Sequence, residues 1–276
     1  MPELPEVELV ARSLAALVVG RRISAAELRR ERLAPGTTLA EFARGVSNAV
    51  ISSVSRRGKH ILIQLNNDAT LIAHLRMSGR FMLIGIDRED PKFAHAVFYF
   101  DDDLRLVFQD QRHFGMMKLV PTAELFQAKE LASLAPEPFS DEFSARYFRT
   151  VLKSSKRSIK ELLLDQTKVC GLGNIYVSEA LFYAGVDPRK CAGDISSARS
   201  NALHGAVRSV LAESISHGST MNVDPENIDG SYYGGAYEDQ WRVYGREGQP
   251  CQKCDRPIIR IKQGGRSSFF CGKCQR

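Results

Sequence analysis

Four cysteines close to the C-terminus, Cys251-x2-Cys254-x16-Cys271-x2-Cys274, have the spacing of a metal site. Each Cys-x2-Cys pair can set two thiolates on one ion, and the spacer between the pairs fits a β-hairpin. "RPIIRIKQGGRSSFFC" supplies that hairpin, with Gly264-Gly265 at its tip. A tetrahedral four-thiolate ribbon holding one structural Zn2+ is expected, with no open position for a water. A redox dithiol is the rival reading, and two such pairs at this spacing argue against it. Arg266 follows the tip, where a rigid hairpin could bring its forked guanidinium to a phosphate or leave it in solvent.

The opposite end, "MPELPEVE", offers different chemistry. Removal of Met1 would make the Pro2 ring nitrogen a free secondary amine; with Met1 in place it is a tertiary amide without a usable lone pair. An α-amino group titrates near 8, against about 10.4 for lysine, so roughly a tenth is neutral at pH 7. Glu3 stands beside it as a potential proton carrier. Pro5, Glu6 and Glu8 suit a first helical turn, so Pro2 and Glu3 are read as lying ahead of the helix and unneeded for capping.

Between these ends, "RRGKH" puts Lys59 at the start of a strand among Arg56, Arg57 and His60. "HLRMSGRF" and "DQRHFG" flank Met77 and Phe114 with charge and glycine. Such side chains are either core or wedges that enter a base stack. In "CGLGN", Asn174 can cap the next helix or offer its amide to a phosphate. No Ser/His/Asp constellation, His/carboxylate metal set or phosphate-cradling Gly-Lys-Ser/Thr loop occurs in the chain.

The elements that must position these groups are legible as two patterns. Val7, Val10, Ala11, Leu14, Leu17 and Val18 recur at helical spacing from Leu4 to Val19. Short strand-like runs follow at 59–65, 70–77, 80–85, 95–101, 105–110 and 116–120, separated by turn residues, which favours an antiparallel sandwich. "SLAPEPFS" (133–140) is a proline-rich linker. Beyond it, helical patterns are anchored by Phe143 and Tyr147, by Ile159 and Leu162, by Ile175 and Leu181, and by Leu203 to Leu211. The expected division is 1–132, 141–240 and a ribbon at 241–276, with an aperiodic loop at about 227–240.

The net charge of +6 is unevenly spread. Residues 241–276 hold nine basic residues against two acidic ones, a balance of +7, leaving −1 for residues 1–240. A basic ribbon on a near-neutral body implies a polyanion partner, nucleic acid before membrane. No apolar run reaches the ~18–20 residues of a membrane span, and the acidic N-terminus is unlike a signal peptide. A cytoplasmic protein is expected, and Cys170 and Cys191 stand apart from the cluster, against a disulfide framework.

"PELPEVE", "RRGKHI", "HLRMSGRF", "RHFG", "GLGNIYVSEALF" and "RSSFFCGKCQ" resemble, in order along the whole chain, the formamidopyrimidine-DNA glycosylases. The resemblance implies an α+β fold: an N-terminal helix with an antiparallel β-sandwich, a helix-two-turn-helix domain, and a zinc-ribbon hairpin. It implies a base-excision repair enzyme, a monomer acting on damaged double-stranded DNA. Such an enzyme removes 8-oxoguanine and formamidopyrimidines and cuts the abasic strand by β,δ-elimination. By position, Pro2 is then the nucleophile, Glu3 the general acid/base, Lys59 the catalytic lysine, and Arg266 the ribbon arginine of the final elimination. Met77, Arg112 and Phe114 match the trio that fills the void left by an extruded base, Arg112 reading the opposite cytosine. His74, His95, Lys160 and Asn174 match DNA-backbone contacts, and 227–240 the loop that closes over the base.

Three positions depart from the pattern. Gln111 and His113 stand where the family often has proline and arginine, which puts a local phosphate contact in doubt. Ser155 replaces a common basic residue, so Lys153 or Lys156 would substitute. Leu4 separates the chain from the endonuclease VIII-like branch for oxidised pyrimidines, which usually has glycine there. A non-catalytic damage-binding protein is the other alternative.

Overall fold

A computed structural model describes residues 1–219, Tyr237 and 240–276. The first amphipathic pattern becomes α1 (Leu4–Val18), whose buried stripe of Val7, Val10, Leu14 and Val18 joins the core of the N-terminal unit. It is followed by β1 (Ile23–Leu28), α2 (Leu39–Val46), β2 (Ile51–Arg57), β3 (His60–Leu65), β4 (Ala69–His74), β5 (Gly79–Gly85), β6 (Ala94–Phe100), β7 (Leu104–Asp110) and β8 (Met116–Pro121). The strands form two four-stranded antiparallel sheets, ordered β1-β6-β7-β5 and β2-β3-β4-β8.

Alternate residues of both sheets share one apolar cluster: Ile61, Ile63, Leu71 and Ala73 from one, Phe81, Phe98, Leu106 and Phe108 from the other. This is the period-2 signature of strands with one face on a common core. β1, β2 and α2 go beyond the elements expected from the sequence. "ISAAEL" and "ISSVSRR" are edge strands. Small polar residues suffice where half a strand faces solvent, so neither carries an apolar run.

Three connections of this unit carry residues of interest. Gly58-Lys59 is a two-residue hairpin between β2 and β3, with Arg57 paired to His60 and Gly58 at φ +58°. Lys59 is therefore at the tip of a tight turn, just before the strand expected to start with it. Residues 75–78 join β4 to β5, and 111–115 join β7 to β8, so each connection crosses from one sheet to the other.

The second unit comprises the described residues from Ser133 onward. Its helices are α3 (Ala145–Lys153), α4 (Ile159–Leu163), α5 (Asn174–Tyr183) and α6 (Ser197–Ser216). Serines cap three of them: Ser144, Ser158 and Ser196 accept from the backbone N–H of Tyr147, Glu161 and Arg199. β9 (Ile259–Gln263) and β10 (Arg266–Phe270) form the C-terminal hairpin. Gly264 and Gly265 turn it with φ of +53° and +77°, left-handed angles that glycine adopts without strain. The ribbon shares a cluster with α5 through Phe182, Val243, Ile258 and Phe269. Of the 227–240 stretch, only Tyr237 and Gln240 are among the described residues; the rest lies outside them.

A buried carboxylate ties the ribbon's N-terminal approach to α5. Glu179 is fully buried and accepts from the backbone N–H of Arg242 at 2.9 Å, Val243 at 3.0 Å and Tyr244 at 2.9 Å. Burial pushes its carboxyl up, against the pull of these donors and of Arg242. Glu179→Ala is expected to destabilise this unit by about 3 kcal/mol or more, because buried donors lose their acceptor. The loss should appear as an earlier urea transition, smaller in Glu179→Gln; an unshifted alanine variant would contradict it.

Candidate functional site

Helix α1 begins within three residues of the chain's start, so its first turn and the terminal amine share one environment. Glu3 occupies the N-cap position, and its backbone N–H donates to Glu6 Oε2 at 2.7 Å. The expectation that Glu3 lies ahead of the helix and plays no part in its start is thus corrected. The cap is set one residue earlier because Glu6 reaches back over the turn. Pro2 is buried, and Glu3 and Glu6 are only 2% and 1% exposed. The amine, carried here by Met1, is lowered from its usual value, chiefly by burial. Glu3 and Glu6 act to raise it, while Lys59 and Arg112 act to lower it. The fold therefore gathers around the chain's start two buried carboxylates, the lysine of the β2–β3 turn and the arginine of the β7–β8 connection.

His74 ends β4, 7% exposed, with its ring edge-on to His60 at 4.7 Å between centroids. Its Nδ1 accepts from the Arg76 N–H at 2.9 Å, which leaves the single ring proton on Nε2. Burial drives His60 down to about 4 and, with His60 and two cations beside it, His74 down to about 2. Both rings are neutral donors at physiological pH. His95 turns Nε2 inward, 2.9 Å from the Asp110 carbonyl and 2.8 Å from His113 Nδ1. Its place is thus beneath the connection that holds Arg112 and Phe114. Phe114 is 57% exposed, and the Arg112 guanidinium lies 5.5 Å from its ring centroid. Met77, on the neighbouring connection, is half-buried. Neither side chain belongs to the buried core clusters.

In the second unit, the four Cys Sγ atoms lie within 4.8 Å of one another, with Cys251–Cys274 at 3.9 Å and Cys254–Cys271 at 3.5 Å. A tetrahedron of ~2.3 Å zinc–sulfur bonds has edges of about 3.8 Å, so the set fits one ion. Backbone N–H groups of Lys253 and Cys274 point at Cys251 and Cys271 sulfurs, as thiolates require. The ribbon is a structural zinc site. Arg266 opens β10, exposed, directly after the Gly-Gly tip.

The next residue explains two other positions. The Ser267 carbonyl accepts from Lys160 Nζ at 2.6 Å and from Asn174 Nδ2 at 3.0 Å. Lys160 is 1% exposed, on α4, and Asn174 is the first residue of α5, with Gly173 in the cap position. The N-cap alternative for Asn174 is therefore not realised; its amide holds the hairpin instead. Lys153 and Lys156 are both exposed near Ser155, and Lys153 Nζ donates to the Gly193 carbonyl at 2.7 Å. Asp110 and Glu179 went without a role in the sequence reading, and Glu6 had only a place in the first helical turn. Each is an acidic residue inside a quoted motif, and only its burial reveals it.

An antiparallel sandwich with a buried amine site, joined in one chain to a helical unit with a zinc ribbon, is the make-up of a base-excision DNA glycosylase. A crystal structure of the Lactococcus lactis Fpg with abasic-site DNA matches at a TM-score of 0.92 and 33% identity, covering 99% of each chain. Family models match the formamidopyrimidine-DNA glycosylase N-terminal domain at 1–117, its H2TH domain at 134–224, and the zinc finger found in FPG and IleRS at 248–276. Formamidopyrimidine-DNA glycosylases of Desulforamulus reducens and Ruegeria pomeroyi are 39% and 42% identical, over 100% of this chain and 99% and 100% of theirs. The chain belongs to the formamidopyrimidine-DNA glycosylase family. Among the described residues, no helix is long and apolar enough to cross a membrane.

Two predictions follow from this geometry. An unfolded histidine takes a proton near 6.5, but His60 and His74 resist until about 4 and about 2. Below 6.5 the unfolded chain therefore binds more protons, and stability present above that pH is lost as the pH falls. The loss should reach roughly 3 kcal/mol per histidine by about pH 4. It is measured as the difference in pH slope of unfolding between the wild type and His60→Gln/His74→Gln; equal slopes would refute it. Separately, Cys254→Ser should lose bound zinc and, at fixed salt, DNA affinity, read by metal analysis and titration.

Proposed function

We propose that this enzyme excises oxidised purines, 8-oxoguanine and formamidopyrimidines, from duplex DNA and cleaves the strand by β,δ-elimination. The observation that carries the reading is the buried environment at the start of α1, where the terminal amine meets Glu3, Glu6, Lys59 and Arg112. Removal of Met1 would transfer the amine to the Pro2 ring nitrogen. Burial of Pro2 favours the neutral form of that nitrogen, which can attack the sugar C1′.

The C1′–base bond breaks and the base departs with the electron pair. Glu3 protonates the ring oxygen as the sugar opens, and the nitrogen loses its proton, leaving an iminium. That cation withdraws electrons from C2′. Loss of a C2′ proton then expels the 3′-phosphate, and a second elimination expels the 5′-phosphate. Lys59 assists at this site. Arg266 contacts phosphate for the last step, the ribbon carrying its guanidinium on a rigid hairpin.

Met77, Arg112 and Phe114 fill the void left by the extruded base, with Arg112 facing the opposite cytosine. His74, His95, Lys156, Lys160 and Asn174 serve the DNA backbone, with His95, Lys160 and Asn174 also bound to the protein's own main chain. The enzyme works as a monomer in the cytoplasm.

Borohydride trapping on 8-oxoguanine DNA, followed by proteolysis and mass spectrometry, tests the assignment. The sugar is expected on Pro2 of the chain lacking Met1; a sugar on Lys59 would overturn it. Pro2→Gly should impair base removal, and Glu3→Gln should slow it roughly 10²–10⁴-fold. Faster release of thymine glycol than of 8-oxoguanine would move the chain to the pyrimidine branch.

A further inference from the structure

The connections 75–78 and 111–115 leave the sandwich at the same end. Strand register sets them side by side: Gly79 pairs with Asp110 in one sheet, and His74 pairs with Met116 in the other. Between them lies a single buried carboxylate. Asp110, 1% exposed, ends β7. Its Oδ1 accepts from the Ser78 hydroxyl at 2.5 Å and from the Arg112 N–H at 3.2 Å. Its Oδ2 accepts from the Gly115 N–H at 2.6 Å. The Ser78 hydroxyl in turn accepts from the Arg112 N–H at 3.0 Å.

We propose that Asp110 is a positioning residue that locks these two connections into one rigid part, so that Met77, Arg112 and Phe114 enter a duplex together. This rests on the reading of that trio as void-filling. The carboxylate holds both ends of the 111–115 connection and, through Ser78, the end of the other. The Phe108 ring closes the space behind both. A Cβ at Gly79 would lie 2.7 Å from that ring, and one at Gly115 would lie 2.8 Å from it. Each connection also contains a non-glycine residue at positive φ, Arg76 at +55° and His113 at +61°. Such angles persist only where surrounding contacts over-determine them. The Asp110 carbonyl adds to this, accepting from the His113 N–H at 3.3 Å and facing His95 Nε2. With the carboxylate removed, both connections relax toward unstrained angles and the trio loses its common placement.

The role separates from general stability because single-stranded DNA has no partner strand and leaves no void to fill. The test uses zinc-loaded enzyme lacking Met1. Asp110→Asn keeps the side chain's shape but loses one acceptor oxygen. It is expected to slow excision from an 8-oxoguanine duplex about tenfold or more and to flatten the preference for cytosine opposite. Borohydride trapping on a single-stranded abasic oligonucleotide should stay within about twofold of wild type. Ser78→Ala, which removes one hydroxyl, should shift the duplex readouts the same way by less, and it keeps the test decisive if Asp110→Asn folds poorly. If both variants keep the wild-type duplex rate and opposite-base preference while Phe114→Ala loses them, the positioning role is refuted and the trio's role stands. If Phe114→Ala and Arg112→Ala also behave as wild type, the reading of the trio itself fails. Equal losses on duplex and single-stranded DNA would mark Asp110 as merely structural and refute the proposal.

Discussion

The structure of the N-terminal unit depends on where α1 is buried. Its apolar stripe sinks into the sandwich core, and its first turn is buried as deeply as its middle. A chain that begins three residues earlier then has no freedom over where its amine goes. Glu8 adds a lateral constraint, accepting from Arg56 Nε at 2.6 Å on β2, the strand that leads into the Lys59 turn. The burial that stabilises the helix also strips water from the amine and lowers its proton affinity. One packing event thus serves both folding and the acid–base character of the site.

The helical and ribbon unit solves a different problem, the placement of an exposed arginine on a two-stranded hairpin. A lone hairpin is marginal in water. Here four thiolates close one end, Phe269 and Ile258 pack against Phe182, and Glu179 holds the approach to the ribbon. At the other end, Lys160 and Asn174 converge on the Ser267 carbonyl. Two donors on one carbonyl fix the backbone immediately after Arg266. The side chains that anchor the hairpin come from α4 and α5, which explains why a basic ribbon accompanies these helices rather than trailing as a separate appendage.

Much of this was legible in the residues. The zinc ribbon followed from thiol count and spacing, because a four-coordinate ion imposes a local geometry that a short sequence satisfies by itself. Strands β3 to β8 followed from apolar runs, since strands with a face on the core need them. β1 and β2 escaped because serine and alanine fill much of "ISAAEL" and "ISSVSRR", which leaves neither an apolar run. Glu3 was misplaced with respect to the helix because a cap depends on a hydrogen bond from Glu3 to Glu6, which residue types alone do not announce. Nothing near Asn174 in the chain announced that its amide would donate to the Ser267 carbonyl, 93 residues away.

By itself the sequence determined which chemical groups the protein owns: a proline and a glutamate behind Met1, a lysine in a glycine turn, four paired thiols and an arginine past a Gly-Gly tip. It also determined the periodicities that make a sandwich, a set of helices and a ribbon. Tertiary structure alone decided which of those groups meet. Strand register set the 75–78 and 111–115 connections side by side, and burial of Asp110 made its carboxylate their shared acceptor. The division has a physical reason. Metal spacing and turn angles are local and are written in neighbouring residues. Burial and register depend on contacts between segments far apart in the chain, and the depth at which a carboxylate or amine comes to rest exists only once those segments have packed.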